Sequence, residues 1–341
     1  MFSLITGANG FIGSHLTRFL IGKGEKVRVL VRPQSDRHSL QGLPVEFAEG
    51  DLRNAGSLVT VLQGIQRVYH VAADYRLWAA NPQEIYESNV AGTHNLLTAA
   101  RHTGIERIIY TSSVGTLVPL HALTLPDEQT ILRLEDMIGH YKRSKFLAEQ
   151  QAWEAARAGQ PVVIVNPTTP VGPGDWKPTP TGRIILDFLN GKMPAYVDTG
   201  LNFVAVEDVA IGHWLAAERG QTGERYILGD RNMTLKELLA ILSSLSGLPM
   251  PRLRLPHAVP LLAALADSLA SYLLGRKPRI PLEGVRLARH KMFVECSKAK
   301  QTLGFQPGPI EAALDRAIGW YSRSGYVKRP LPGRATRECA V

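Results

Sequence analysis

Phe2-Ser3-Leu4-Ile5-Thr6-Gly7-Ala8-Asn9-Gly10-Phe11-Ile12-Gly13 decides the fold of this 341-residue chain. Phe2 to Thr6 is a short apolar run of strand type, and three glycines spaced by three open a helix that carries Leu16, Phe19 and Leu20. Gly7 permits a tight turn, Gly10 leaves room for a phosphate, and Gly13 lets the helix pack on the strand. N–H groups at the helix start attract anionic oxygens, so the turn, with Asn9, Phe11 and Ile12 inside it, predicts a site for a nucleotide pyrophosphate.

Outward from this turn, apolar β-rich runs recur with helical stretches between them: Lys26 to Val31, Val45 to Ala48, Arg67 to Ala72, Arg107 to Thr111 and Val162 to Asn166. The alternation predicts an α/β fold, a Rossmann-type doubly wound parallel sheet covered by helices on both faces. After Pro167 a Pro- and Gly-rich stretch, Pro170-Val171-Gly172-Pro173-Gly174, interrupts the rhythm and marks a domain crossover. Residues 1–167 read as an NADP-binding domain, with 201–230 returning to it. Residues 168–200 and 231–326 read as a smaller, mostly helical C-terminal substrate lobe, in which Thr234 and Glu237 have the spacing of a capping box. Residues 327–341 read as a flexible basic tail.

With 45% hydrophobic and 20% charged residues, the composition excludes a disordered or collagen-like chain. Lys and Arg number 39 against 30 Asp and Glu, and the resulting +9 favours anionic small molecules. A small-molecule substrate is expected, and nucleic acid is not. Cys296 and Cys339, in a chain that starts on a strand without a basic and apolar leader, read as reduced thiols of a cytoplasmic protein. No His or Cys pair has metal-site spacing, so no metal is expected. The stretch 258–275 is strongly apolar, but it carries Pro260 and Asp267 and lacks the roughly 20 uninterrupted apolar residues that a span needs. It reads as a buried or pocket-lining helix, with peripheral association at a membrane surface as the alternative.

About 20 residues beyond such a glycine turn, a carboxylate marks NAD by accepting hydrogen bonds from the adenosine ribose. That place holds Arg32, whose guanidinium offers paired donors to a 2′-phosphate. NADP(H) is therefore the expected cofactor, with Arg37 in support and NAD(H) as the alternative. Asp51 and Leu52, after the third strand, are placed at the adenine edge, and Ala72 and Ala73, after the fourth, where the cofactor passes.

Tyr141 and Lys145 stand four apart on a predicted helix and share one face. A phenol near pKa ~10 is a poor base at neutral pH, but an adjacent ammonium and a positive nicotinamide ring favour its phenolate. Lys145 is expected to lower the pKa of Tyr141 and to hold the nicotinamide ribose. Ser113, at the end of the fifth strand, is placed to hydrogen-bond the substrate oxygen while Tyr141 moves the proton. Ser112 would point to the opposite side. Candidate substrate contacts are Tyr75, Arg76 and Trp78 after the fourth strand, His140 beside Tyr141, and Thr169. Arg76 would grip an anion and Trp78 would stack on a ring.

Together, Thr6-Gly7-x-x-Gly10-x-x-Gly13, Ser113 and Tyr141-x-x-x-Lys145 resemble the extended short-chain dehydrogenase/reductase superfamily, as do Asn89-Val90-x-Gly92-Thr93, Asn166-Pro167-Thr168 and Val206-x-Asp208-Val209. Within it the chain resembles the bacterial dihydroflavonol-4-reductase-like group. The runs Ala73-Asp74-Tyr75-Arg76-Leu77-Trp78 and Gly139-His140-Tyr141-Lys142-Arg143-Ser144-Lys145 are similar to those of hopanoid-associated sugar epimerases. The resemblance implies that 166–171, with Pro167, Thr168 and Val171, passes near the nicotinamide, and that a homodimer forms through helices at 90–100 and 144–156. Plant flavonoid reductases carry a polar residue five positions beyond the catalytic serine; Val118 stands there, which implies a substrate other than a true flavonoid. Two chemistries share these residues: a reductase that exchanges NADP(H), favoured by Arg32, and a nucleoside-diphosphate-sugar epimerase that retains its cofactor. A catalytically idle NADP-binding sensor or scaffold is a third reading.

Overall fold

The computed structural model of the chain describes residues 1–101, 103–119 and 124–333. The chain forms two compact units, the first from 1–168, 206–229 and 294–306, the second from 169–205, 230–293 and Pro307 onward.

Seven strands make the sheet of the first unit, in the spatial order Arg225–Leu228, Val162–Pro167, Arg107–Thr111, Arg67–His70, Phe2–Thr6, Lys26–Val31, Glu46–Glu49. Every neighbouring pair is parallel. A parallel sheet covered on both faces needs strands that are apolar throughout, and Val162, Val163, Ile164 and Val165 are all fully buried. Leu58, Leu96, Leu97, Ala148 and Ala152 join Val162 and Ile164 in one core. The strand order reverses between Phe2–Thr6 and Arg67–His70, and in such sheets ligands bind outside the carboxyl ends at that reversal. Both the glycine turn after Phe2–Thr6 and Ser113 after Arg107–Thr111 leave the sheet at that edge.

In the second unit Gly200–Ala205 pairs antiparallel with Arg231–Thr234 and parallel with Thr169–Val171 and Lys291–Met292. The helices Pro180–Leu189, Leu235–Ser246 and Ile310–Arg323 pack Phe188, Leu239, Leu242, Leu314 and Ile318 into one core. The capping box forms: the Glu237 N–H donates to Thr234 Oγ1 at 3.2 Å, and the Thr234 N–H donates to Glu237 Oε2 at 2.7 Å.

Several sequence expectations change. Residues 201–205, read as returning to the first domain, lie in the strand Gly200–Ala205, which belongs to the second unit because its backbone partners lie there. Residues 294–306, read as lobe, belong to the first unit, where the Glu295 N–H donates to Pro126 O at 2.8 Å. The segment from 327 is tied down rather than flexible as far as it is described: Arg329 Nε donates to Leu189 O at 2.6 Å, the Lys328 N–H to Asn190 Oδ1 at 2.8 Å, and Leu331 is buried. The remainder of that tail, 334–341 with Cys339, lies outside the described residues; Cys296 is buried. The helix Ala258–Leu273 is not a buried one. Its buried residues are the small Ala264 and Ser271, with Leu261 half-buried, while Leu262, Leu265, Leu269 and Leu273 face outward. Among the described residues no helix is long and apolar enough to cross a membrane.

A Cβ added at Gly13 would stand 2.1 Å from the Gly7 carbonyl oxygen and 2.8 Å from the Ala8 Cα, backbone atoms that cannot rotate away. Gly13→Ala is expected to destabilise the chain by about 1–3 kcal/mol, read as a lower urea midpoint; an unchanged midpoint would show that the turn relaxes freely.

Candidate active site

The glycine turn is built by close approach. Gly7 has φ +70°, and a Cβ there would lie 2.6 Å from the backbone of Ala72. The Gly10 N–H closes the turn on Gly7 O at 2.9 Å. No side chain caps the helix Phe11–Gly22, so the first-turn N–H groups, with Phe11, Ile12 and Gly13 among them, are left for an outside acceptor. Backbone donors in a cradle that side chains would fill fit a dinucleotide pyrophosphate. Asn9 ties the turn to the loop after Lys26–Val31: its Nδ2 donates to Asp36 O at 3.0 Å and its carbonyl accepts from Ser39 Oγ at 3.1 Å.

Arg32 stands exposed at the start of that loop, its N–H on Ser35 Oγ at 3.2 Å. Arg37 does not support it. Its guanidinium pairs with Glu49 at 2.5 Å and lies 5.1 Å over the Phe47 ring, so the charge is already committed. The Asp51 carboxylate is spanned by Arg53 at 2.6 to 3.1 Å. That hydrogen bond, helped by the charge of Arg32, holds it below the ordinary carboxylate range. Leu52 O accepts from Asn95 Nδ2 at 2.9 Å.

The helix Gly139–Arg157 carries Tyr141, Lys145 and Glu149 at successive four-residue steps, hence along one face. Burial pushes the Tyr141 phenol above its ordinary value, and a hydrogen bond with Ser113 pulls it back towards the phenolate. Ser113 Oγ accepts from the Gly115 N–H at 3.0 Å, which leaves its own proton to donate. Lys145 acts differently from the sequence expectation. Its Nζ donates to Thr111 O at 2.7 Å and Tyr110 Oη at 3.1 Å, 4.7 Å from the Tyr110 ring centroid. Burial lowers the ammonium to about 7, with Glu149 opposing, and the Tyr141 shift arises from burial and Ser113 rather than from Lys145.

Glu149, His70 and His213, buried residues that sequence reasoning missed, hold this arrangement together with Asn166. Glu149 Oε2 accepts from Ser112 Oγ, from Thr116 Oγ1 at 2.8 Å and from Asn166 Nδ2 at 3.0 Å, while Oε1 accepts from Arg225 Nη1 at 2.9 Å. Asn166 Nδ2 also donates to Ser113 O at 3.1 Å. His70 joins the glycine turn to the helix pair beyond it. Thr93 Oγ1 donates to Asn89 O at 2.6 Å and so accepts from His70 Nε2–H at 2.9 Å. Nδ1 then accepts from Thr6 Oγ1 at 2.7 Å, and burial keeps this imidazole neutral, lowered to about 3. Likewise His213 Nδ1–H donates to Val209 O at 2.7 Å, so Nε2 accepts from Thr111 Oγ1 at 2.9 Å. A single sequence shows such histidines only as scattered letters; the spacing of Glu149 four residues beyond Lys145 is the one signal that could have found it.

Other candidates are placed as follows. Ala72 and Ala73 follow the strand Arg67–His70, and the Ala72 N–H donates to Thr6 Oγ1 at 3.2 Å. Arg76 is already held by Asp74 at 2.6 Å and Glu84 at 2.9 Å, which argues against an anion grip. Tyr75 and Trp78 are exposed, and His140, also exposed, is 3.2 Å from Tyr86 Oη. Pro167 ends its strand, and Thr168 is buried with its hydroxyl on Leu228 O at 3.3 Å. Thr169 and Val171 fall in the second unit, where Val171 is part of the apolar core, so its side chain is committed to packing rather than to a cofactor.

Residues 3–229 match the model of the NAD dependent epimerase/dehydratase family, and the chain belongs to that family. It is similar to a Synechocystis sp. protein provisionally named dihydroflavonol 4-reductase, 47% identical over 95% of both chains. It is also similar to sterol demethylase protein B of Methylococcus capsulatus, 36% identical over 96% of this chain and 100% of the relative. Among solved structures, gox2253 is 44% identical with a TM-score of 0.85, covering 96% of this chain and 99% of its own. The chain is an enzyme of the extended short-chain dehydrogenase/reductase type, whose relatives are reductases and epimerases or dehydratases.

The depressed Lys145 sets a pH signature. Between about pH 7 and the ordinary lysine value the unfolded chain binds a proton that the folded chain has lost, so this group adds stability as pH rises; below 7 its burial cost is fully present. Urea unfolding of cofactor-free protein between about pH 6 and 10 should show the native chain gaining on Lys145→Met by up to about 1 kcal/mol per pH unit. A pH-independent difference would contradict the burial of that ammonium.

Proposed function

We propose that this chain is an NADP(H)-dependent oxidoreductase that moves a hydride between its cofactor and an alcohol/carbonyl pair. The carrying observation is the placement of Ser113 near enough to Tyr141 to oppose the upward shift of its phenol, with Tyr141 one helical turn from buried Lys145, at the sheet edge where the glycine turn also emerges. Gly7, Gly10, Gly13 and the start of the helix Phe11–Gly22 would hold the pyrophosphate, and Arg32 the 2′-phosphate. When bound, the nicotinamide supplies or accepts the hydride. In reduction Tyr141 Oη gives its proton to the substrate oxygen as charge develops there; in oxidation it takes that proton back. Ser113 donates to the same oxygen and orients it. Lys145, anchored on Tyr110 and Thr111, places a cation in the site whenever a bound anion offsets its burial.

Reduction is supported by the relatives' names. A ketoreductase of a farnesyl-bearing quinoline oxide from Stigmatella aurantiaca is 30% identical over 89% of this chain, and sterol demethylase protein B covers nearly all of it. Those two names together support a carbonyl on a large apolar skeleton. The second reading, sugar epimerisation, is supported by the 27% identical nucleoside-diphosphate-sugar epimerase PA4631 of Pseudomonas aeruginosa, TM-score 0.79 over 96% of this chain and 99% of that one.

Tyr141→Phe is expected to lower turnover by about 10²-fold or more with the dissociation constant for NADPH changed less than about twofold. Unchanged turnover would remove Tyr141 from the mechanism, and with it the Ser113–Tyr141 reading. Arg32→Gln should weaken NADPH about tenfold or more, by titration calorimetry, and leave NADH nearly unaffected; equal losses would refute the 2′-phosphate role. Desalted protein is expected to carry little cofactor and to oxidise NADPH when a ketone is added, whereas retained cofactor without net oxidation would favour the epimerase.

A further inference from the structure

The helix Ala258–Leu273 keeps Leu261 half-buried and presents its other large apolar residues outward. Leu262, Leu265, Leu269 and Leu273 follow helical spacing, joined by Val259 and Tyr272, with exposures from 46% at Leu265 to 85% at Tyr272. Leu274 prolongs the stripe at 71%. The face turned inward holds buried Ala264 and Ser271. A helix on an ordinary soluble surface shows the opposite polarity, and contiguous apolar faces of this kind mark docking surfaces.

A basic rim adjoins the stripe. Asp267 folds the following loop back onto the helix: its carboxylate accepts from Arg276 Nη2 at 2.6 Å and from the N–H groups of Arg279 and Ile280 at 2.6 and 2.9 Å. Lys277, Arg279, Arg286, Arg289 and Lys291 are exposed beyond it. From 252 to 291 the sequence carries eight Lys and Arg against Asp267 and Glu283.

We propose that this helix docks the chain on an anionic lipid surface, lying in the headgroup plane with its leucine stripe inward and the basic loop on the lipid phosphates. Sixteen residues make a rod of about 24 Å, and no described helix can span, so the contact is interfacial. Charge selects lipid over a second copy of the chain. A two-fold contact through this stripe would set one basic rim against another, whereas an anionic bilayer satisfies stripe and rim together. The exposed Tyr272 ring, apolar in body and polar at its tip, suits the boundary between the two.

Co-sedimentation of the full chain with vesicles tests the proposal, using phosphatidylcholine alone and a mixture with phosphatidylglycerol. Binding is expected on the mixed vesicles, at least tenfold weaker on phosphatidylcholine alone, and reduced at about 0.5 M salt. The triple variant Leu262→Ser, Leu269→Ser, Leu273→Ser should lose at least tenfold. Lys277→Glu with Arg279→Glu, which leaves the stripe intact, should lose the preference for phosphatidylglycerol. Both variants should keep the native melting temperature and NADPH affinity, which separates lost docking from lost folding. Sedimentation with neither vesicle overturns the proposal, as does equal binding to both. So does a concentration-dependent dimer that the serine variant dissolves while vesicles bind nothing.

Discussion

Everything at the catalytic edge depends on one buried carboxylate. Glu149 is almost wholly enclosed, and it receives Ser112 from the end of one strand, Asn166 from the next, Arg225 from the one beyond, and Thr116 from the turn that Ser113 begins. An ionised group taken out of water is costly unless its acceptor sites are filled, and here two oxygens meet four donors, one of them cationic. The same residue sits one turn beyond Lys145, where its charge works against the desolvation that strips the ammonium of its proton. Ser113 is therefore positioned by a polar knot behind it, through the hold of Asn166 on its carbonyl, and its hydroxyl faces Tyr141 as a consequence.

Two neutral histidines extend that logic across the sheet. His70 accepts from Thr6, on the strand that feeds the glycine turn, and donates to Thr93; the chain continues through Asn89 to Ser144 on the helix Gly139–Arg157. His213 fixes the Thr111 hydroxyl while the Thr111 carbonyl holds Lys145. A protonated imidazole at either place would repel a neighbouring donor inside a low-dielectric core, and burial keeps both uncharged. The glycine turn and the helix Gly139–Arg157 are thus joined by hydrogen bonds whose directions are determined at every step.

Legibility followed how local each requirement is. The turn was readable at Gly7 and Gly13 because a left-handed φ and a sub-van-der-Waals approach admit no other residue type. The strand Val162–Pro167 was readable because burial on both faces leaves no polar alternation. Arg37 and Arg76 were misjudged for a common reason: each carries a charge suited to a ligand, but a neighbour close in space, Glu49 or Asp74, takes it first. The helix at 258–273 was misjudged because apolar content alone is silent about which face packs; small Ala264 and Ser271 went inward and Leu262, Leu265, Leu269 and Leu273 out.

By itself the sequence determined the parallel α/β architecture, the phosphate turn and the four-residue step from Tyr141 to Lys145. These follow from backbone conformation and from periods of two and 3.6 residues, which are properties of short segments. Tertiary structure alone decided that Lys145 rests on Tyr110 and Thr111, and that Glu149 collects strands 40 and more residues apart in the chain. The protonation and pairing of a buried polar group depend on which distant groups surround it, and those neighbours exist only once the chain has folded.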